Sequence, residues 1–110
     1  MLAPPETAPR GARRAAAGYF APFLSAERCH DLTVVVSELV TNAALHGRGR
    51  IVLRMHFDDR GAYAEVEDSA EMRPMRPDSR GLRIVDALAT RWGIRHSPGR
   101  KAVWAYLLRS

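Results

Sequence analysis

At Gly47 the spacing of apolar residues changes period, and that change limits the folds open to the chain. Before it, Leu32, Val35, Val36, Leu39, Val40, Ala43 and Ala44 recur every three or four residues, the repeat of one helix face. After it, Ile51, Leu53, Met55 and Phe57 alternate with Val52, Arg54 and His56, the repeat of a strand covered on one side. A helix with one apolar stripe and a strand with one apolar side have to cover each other. In a chain of 110 residues, one layer of helices on one sheet is about the most that can be built.

The remaining elements fit that frame. Residues 1–9 hold Pro4, Pro5 and Pro9 and are expected to be a loose arm, with a single domain over residues 10–110. Ala12, Ala15, Ala16, Tyr19, Phe20 and Phe23 predict a first helix from Arg10 to Leu24, ended or kinked near Pro22. Ser25 is a candidate N-cap for a second helix from about Ala26 to His46, with Arg28 in place of the capping-box acid and Gly47 as its C-cap. Asp58-Asp59-Arg60-Gly61 turns the first strand into a second, Ala62 to Asp68. Residues 69–79 lack periodicity and read as a loop. A third helix is expected from about Gly81 to Thr90, and residues 91–97 and 102–109 form a last hairpin around Ser97-Pro98-Gly99-Arg100. The expected fold is α+β: a two-layer α/β sandwich with helices on one face of a mainly antiparallel sheet.

Composition excludes several classes. The single cysteine, Cys29, permits no internal disulfide, which suits a reducing cytoplasm. No apolar run is long enough to span a membrane, and Met1-Leu2-Ala3-Pro4-Pro5 lacks the pattern of a secretory signal. The net charge of +5 is uneven: +2 over residues 1–30, −3 over 31–78 and +6 over 79–110. A basic C-terminal third attracts polyanions, a nucleoside triphosphate included. No aromatic-interleaved basic motif, zinc spacing or helix-turn-helix accompanies it, so direct nucleic-acid binding is not expected.

Three places carry candidate chemistry. Glu38, Asn42 and His46 are spaced by four on the second helix and share one face. An amide oxygen there can ligate Mg²⁺, which keeps most of its shell as water and phosphate oxygens, and the acid one turn away can take a proton from a hydroxyl or water. The same spacing suits a polar stripe facing solvent. Asp68 ends the second strand, where a carboxylate can accept from a base amino group or simply open a loop. Ser79-Arg80-Gly81-Leu82 opens the third helix; a glycine there lets main-chain N–H groups approach phosphate, or only permits a tight turn. Neither a Walker motif nor a G-x-G-x-x-G after a strand is present.

The order of these pieces resembles a known family. Glu38-Leu39-Val40-Thr41-Asn42-Ala43-Ala44-Leu45-His46-Gly47, a hairpin ending in Asp68, then Gly81-Leu82-Arg83-Ile84-Val85-Asp86-Ala87-Leu88-Ala89, Trp92-Gly93 and Val103-Trp104-Ala105 resemble the histidine-kinase-like ATPase domain. Among its members the likeness is greatest to the small bacterial anti-sigma-factor serine kinases. The resemblance covers about residues 10–108.

It implies a Bergerat-type ATP-binding sandwich that takes ATP and Mg²⁺. Asn42 would hold the metal and Glu38 would be the general base. Asp68 would receive the adenine amino group. Residues from about Ser69 to Arg80 would form a lid, and Arg80, Gly81 and Leu82 would meet the phosphates, with Arg83 and Arg73 as further cations. Three departures stand out: Ser69-Ala70 replaces a glycine-containing segment after Asp68, Gly81 alone remains of a glycine pair, and Ala102 stands where a threonine is expected on the last hairpin. Loss of one neutral hydrogen bond costs about 0.5–1.5 kcal/mol. The implied function is transfer of the ATP γ-phosphate to a hydroxyl of an anti-anti-sigma partner. The alternative is a non-catalytic partner-switching module that sequesters a sigma factor, with ATP structural or absent. The first helix, through Tyr19, Phe20 and Phe23, is a candidate homodimer interface, or packs on its own domain.

Overall fold

The computed structural model describes residues 8–46, 50–69 and 80–109. Three helices and four strands follow one another as α1 (Ala8–Phe20), α2 (Ala26–His46), β1 (Val52–Phe57), β2 (Gly61–Asp68), α3 (Arg80–Leu88), β3 (Arg91–Ser97) and β4 (Arg100–Leu108). The strands form one antiparallel sheet in the order β1-β2-β4-β3. Two hairpins are thus joined through their inner strands, with Gly61 opposite Leu108 and Asp68 opposite Lys101. The helices lie on one face, as expected for the two-layer α+β sandwich.

Local chemistry sets the boundaries. α1 begins two residues earlier than the sequence suggests, because Pro9 has its φ already fixed near the helical value in the first turn. It stops at Phe20 rather than Leu24: Pro22 has no N–H to give and crowds the residue before it. Ser25 caps α2, its Oγ accepting from the Arg28 N–H at 3.2 Å. α3 ends at Leu88, two residues short of the expected Thr90. The Thr90 N–H leaves the helix for the carbonyl of Tyr106 at 2.8 Å, and its hydroxyl accepts from the Leu108 N–H at 3.0 Å. β4 begins at Arg100, two residues before the expected 102, since only Pro98 and Gly99 separate it from β3. Gly99 takes φ +72°, a value that most side chains disfavour.

The core lies between the layers. α2 contributes Leu32, Val35, Val36, Leu39, Val40 and Ala43; α1 contributes Ala12, Ala16 and Phe20. They meet Leu53, Ala62, Ala64, Val66, Val103, Ala105 and Leu107 of the sheet and Leu82 and Val85 of α3. Three alanines at the sheet centre let the long helix come close. α1 therefore packs on its own domain through Ala12, Ala16 and Phe20, while Tyr19 and Phe57 stay 43% exposed, Phe57 meeting both Tyr19 and Phe23. No helix among the described residues is long and apolar enough to cross a membrane.

On the other face of the sheet, Glu65 is only 5% exposed. Its carboxylate accepts from the Tyr63 hydroxyl at 2.9 Å and pairs with Arg95 and with Arg54 at 3.3 Å. Burial alone would raise its pKa; the Tyr63 hydroxyl and the Arg95 guanidinium outweigh that, with help from Arg54, and hold the carboxyl below its usual range.

Candidate functional site

Glu38 and Asn42 sit one turn apart near the C-terminal end of α2. Asn42 is 6% exposed and Glu38 is half-buried, so the pair is covered rather than turned to bulk water. The covering element is the first turn of α3. A methyl group placed on Gly81 would lie 2.8 Å from Asn42 Nδ2, 3.1 Å from Asn42 Oδ1 and 3.2 Å from Glu38 Oε2. Only a residue without a side chain brings the α3 backbone so near the acid and the amide. The glycine acts here by close approach, and the alternative of a solvent-facing polar stripe is set aside. Asn42 Nδ2 is also buried without a hydrogen-bond partner among the described residues. Such an orphan amide is expensive unless something else binds it.

Chain connectivity brings Asp68 to the same end of the domain. The C-terminal end of α2 leads into β1, whose first residue, Val52, lies opposite Glu67. α3 begins after the segment that follows Asp68 and Ser69. Asp68 is in phase with Val66, Ala64 and Ala62, so it belongs to the helix-covered face, and it is 3% exposed. Its Oδ2 lies 3.7 Å from Lys101 Nζ, with both side chains enclosed.

The other sequence candidates divide. Leu82 is fully buried in the core, so anything it offers a ligand comes from its main chain, the group through which the resemblance has it meet the phosphates. Arg80 is the first residue of α3; its side chain, those of His46 and Arg73, and most of the expected lid fall outside the described residues. Ala102 is a correction. It lies opposite Glu67 and in phase with Trp104 and Tyr106, on the sheet face away from the helices. The β4 residue that faces Asp68 is Lys101, which sequence reasoning passed over. The signal was present: extending the inward phase of Leu107, Ala105 and Val103 by one more step reaches Lys101. Among the described residues no cluster of His, Cys, Asp or Glu could hold a metal by itself. A magnesium ion would rest on Asn42 together with ligand oxygens, and the covered carboxamide suits that hard-oxygen chemistry.

An acid and an amide on one long helix are thus covered by the glycine that opens another helix, over a single antiparallel sheet. The histidine kinase-like ATPase domain matches the chain over residues 2–107, and the chain belongs to that family. Membership implies ATP binding. No curated protein matches the chain by sequence. A solved structure from Mycobacterium tuberculosis, described as the RsbU and RsbW domains of Rv1364c, is similar with a TM-score of 0.74 and 24% identity. The likeness covers 93% of this chain and 29% of that one, so it speaks for the fold, and this chain spans less than a third of that larger protein.

Proposed function

We propose that the chain binds ATP with magnesium between α2 and α3 and transfers the γ-phosphoryl group to a hydroxyl of a small regulatory protein of the anti-anti-sigma kind. The observation that carries this reading is the close approach of the Gly81 backbone to Glu38 and Asn42, with the buried Asn42 Nδ2, a donor, lacking a partner among the described residues. Phosphoryl transfer needs positioning and charge neutralisation more than covalent chemistry from the protein. Asn42 would hold the metal, which when bound would neutralise phosphate charge. The N–H groups opening α3 at Arg80, Gly81 and Leu82 meet phosphate oxygens, favoured by the helix dipole. Asp68 accepts from the amino group of the base. Glu38 takes the proton of the acceptor hydroxyl as its oxygen bonds to the γ-phosphorus and the bond to the β–γ bridging oxygen breaks, releasing ADP.

Titration calorimetry with ATP, with and without Mg²⁺, tests binding, and transfer of labelled phosphate to candidate anti-anti-sigma proteins tests the reaction. Wild type is expected to show metal-dependent affinity. Asn42→Ala removes the metal dependence. Glu38→Gln keeps ATP affinity within a few-fold and lowers transfer by about 10²–10⁴-fold, the range of a lost general base. Metal-dependent binding with no transfer to any candidate would replace the kinase reading with that of a partner-switching module that sequesters a sigma factor.

A further inference from the structure

The ion pair between Asp68 and Lys101 has no ready structural explanation. The two residues are cross-strand partners on β2 and β4, the inner strands of the sheet, and their side chains are 1% and 2% exposed. Burying two charges costs several kcal/mol per ion, and apolar residues of similar volume commonly serve a core as well or better. Along β2 and β4 the rest of this face is apolar: Val66, Ala64 and Ala62 continue from Asp68, and Val103, Ala105 and Leu107 continue from Lys101; on β3 the residue opposite Lys101 is His96. The two charges stand at the strand ends, Asp68 as the last residue of β2 and Lys101 as the second of β4, next to the β3–β4 turn. That is also the end at which Asn42 and Gly81 meet.

The pair has a definite recognition chemistry. A carboxylate only accepts hydrogen bonds, and an ammonium only donates them, with three N–H groups. At 3.7 Å the two heads are in ion-pair range but beyond a tight hydrogen bond, so the ammonium is not committed to this carboxylate by a short contact. Side by side they form an acceptor next to a donor. The Watson–Crick edge of adenine carries the complementary order, an amine donor at N6 beside an acceptor at N1. Resting on the assignment of Asp68 to the base amino group, we infer that Lys101 is a second base-reading residue: its ammonium donates to N1 of adenine while Asp68 accepts from N6. Ala102 points to the opposite face, so the base edge is read from β4 by a cation.

The contact can be read through the ligand as well as through the protein. Calorimetry on wild type compares Mg-ATP with Mg-1-deaza-ATP, in which a C–H replaces N1 and the amine is kept. Loss of a hydrogen bond to a charged donor predicts at least tenfold weaker binding of the deaza analogue. Lys101→Met is expected to bind both ligands with equal, weakened affinity, and Lys101→Arg to restore part of the preference for ATP. The wild-type comparison needs no variant to fold. Equal wild-type affinity for ATP and 1-deaza-ATP overturns the role of Lys101 and leaves the nucleotide reading intact, as does a Lys101→Met variant that keeps the full preference for ATP. Absence of any ATP binding by wild type overturns both together.

Discussion

Single residues at the α2–α3 contact decide whether the site can exist. Gly81 is one: a methyl group there would press on the buried Asn42 amide at 2.8 Å and on Glu38 at 3.2 Å. Asn42 cannot swing away freely, because it is itself 6% exposed. Overpacking of this kind costs about 1–3 kcal/mol, more than alanine gains over glycine in the first turn of a helix. Gly81→Ala is expected to lower stability by about 1 kcal/mol, read from urea unfolding, and to weaken ATP affinity in calorimetry. A variant that binds ATP as wild type does would mean that the glycine serves only the turn. Glu38 and Asn42 were legible in the sequence because i, i+4 spacing fixes a shared face. Lys101 was missed because the sequence reading begins the last strand at residue 102, whereas β4 begins at Arg100.

Among elements, α1 shows how a helix is held by packing rather than by propensity. Ala12, Ala16 and Phe20 each bury fully against the domain, and Phe20 makes edge contacts with Tyr19 and Phe57. Phe20→Ala should cost about 3–5 kcal/mol, the range for a large aromatic removed from a core, measured as a shift of the denaturation midpoint. The loss would fall on the whole domain, since α1 lies along α2 and reaches β1. Sequence periodicity placed every helix and strand within a few residues. The ends moved where tertiary partners competed, as at Thr90, whose N–H is taken by β4 before α3 can use it.

The whole molecule has one layer of helices, so the second face of the sheet has to be made stable by other means. There Glu65 is bound by the Tyr63 hydroxyl and by Arg95 and Arg54, and these hold its carboxyl below the ordinary value of 4.5. A carboxyl with a lowered folded-state pKa contributes stability that is complete above the unfolded value and is lost as pH falls through the folded one. Wild type should therefore lose stability as pH drops from about 5. Glu65→Gln should be less stable at neutral pH and decline less steeply in the same range, as followed by thermal unfolding at stepped pH. Identical acid profiles for the two proteins would show that the cluster contributes nothing to folding.

The amino-acid sequence determined the order and kind of the elements, the apolar face of each, and the shared face of Glu38 and Asn42, because those follow from periods of 3.6 and 2 along a local stretch of chain. Tertiary structure decided the rest. The joining of the two hairpins through β2 and β4, the seating of Gly81 on the acid–amide pair, and the choice of Lys101 over Ala102 as the partner of Asp68 all depend on register between segments distant in sequence. A shift of one residue in that register would turn every β4 side chain to the opposite face.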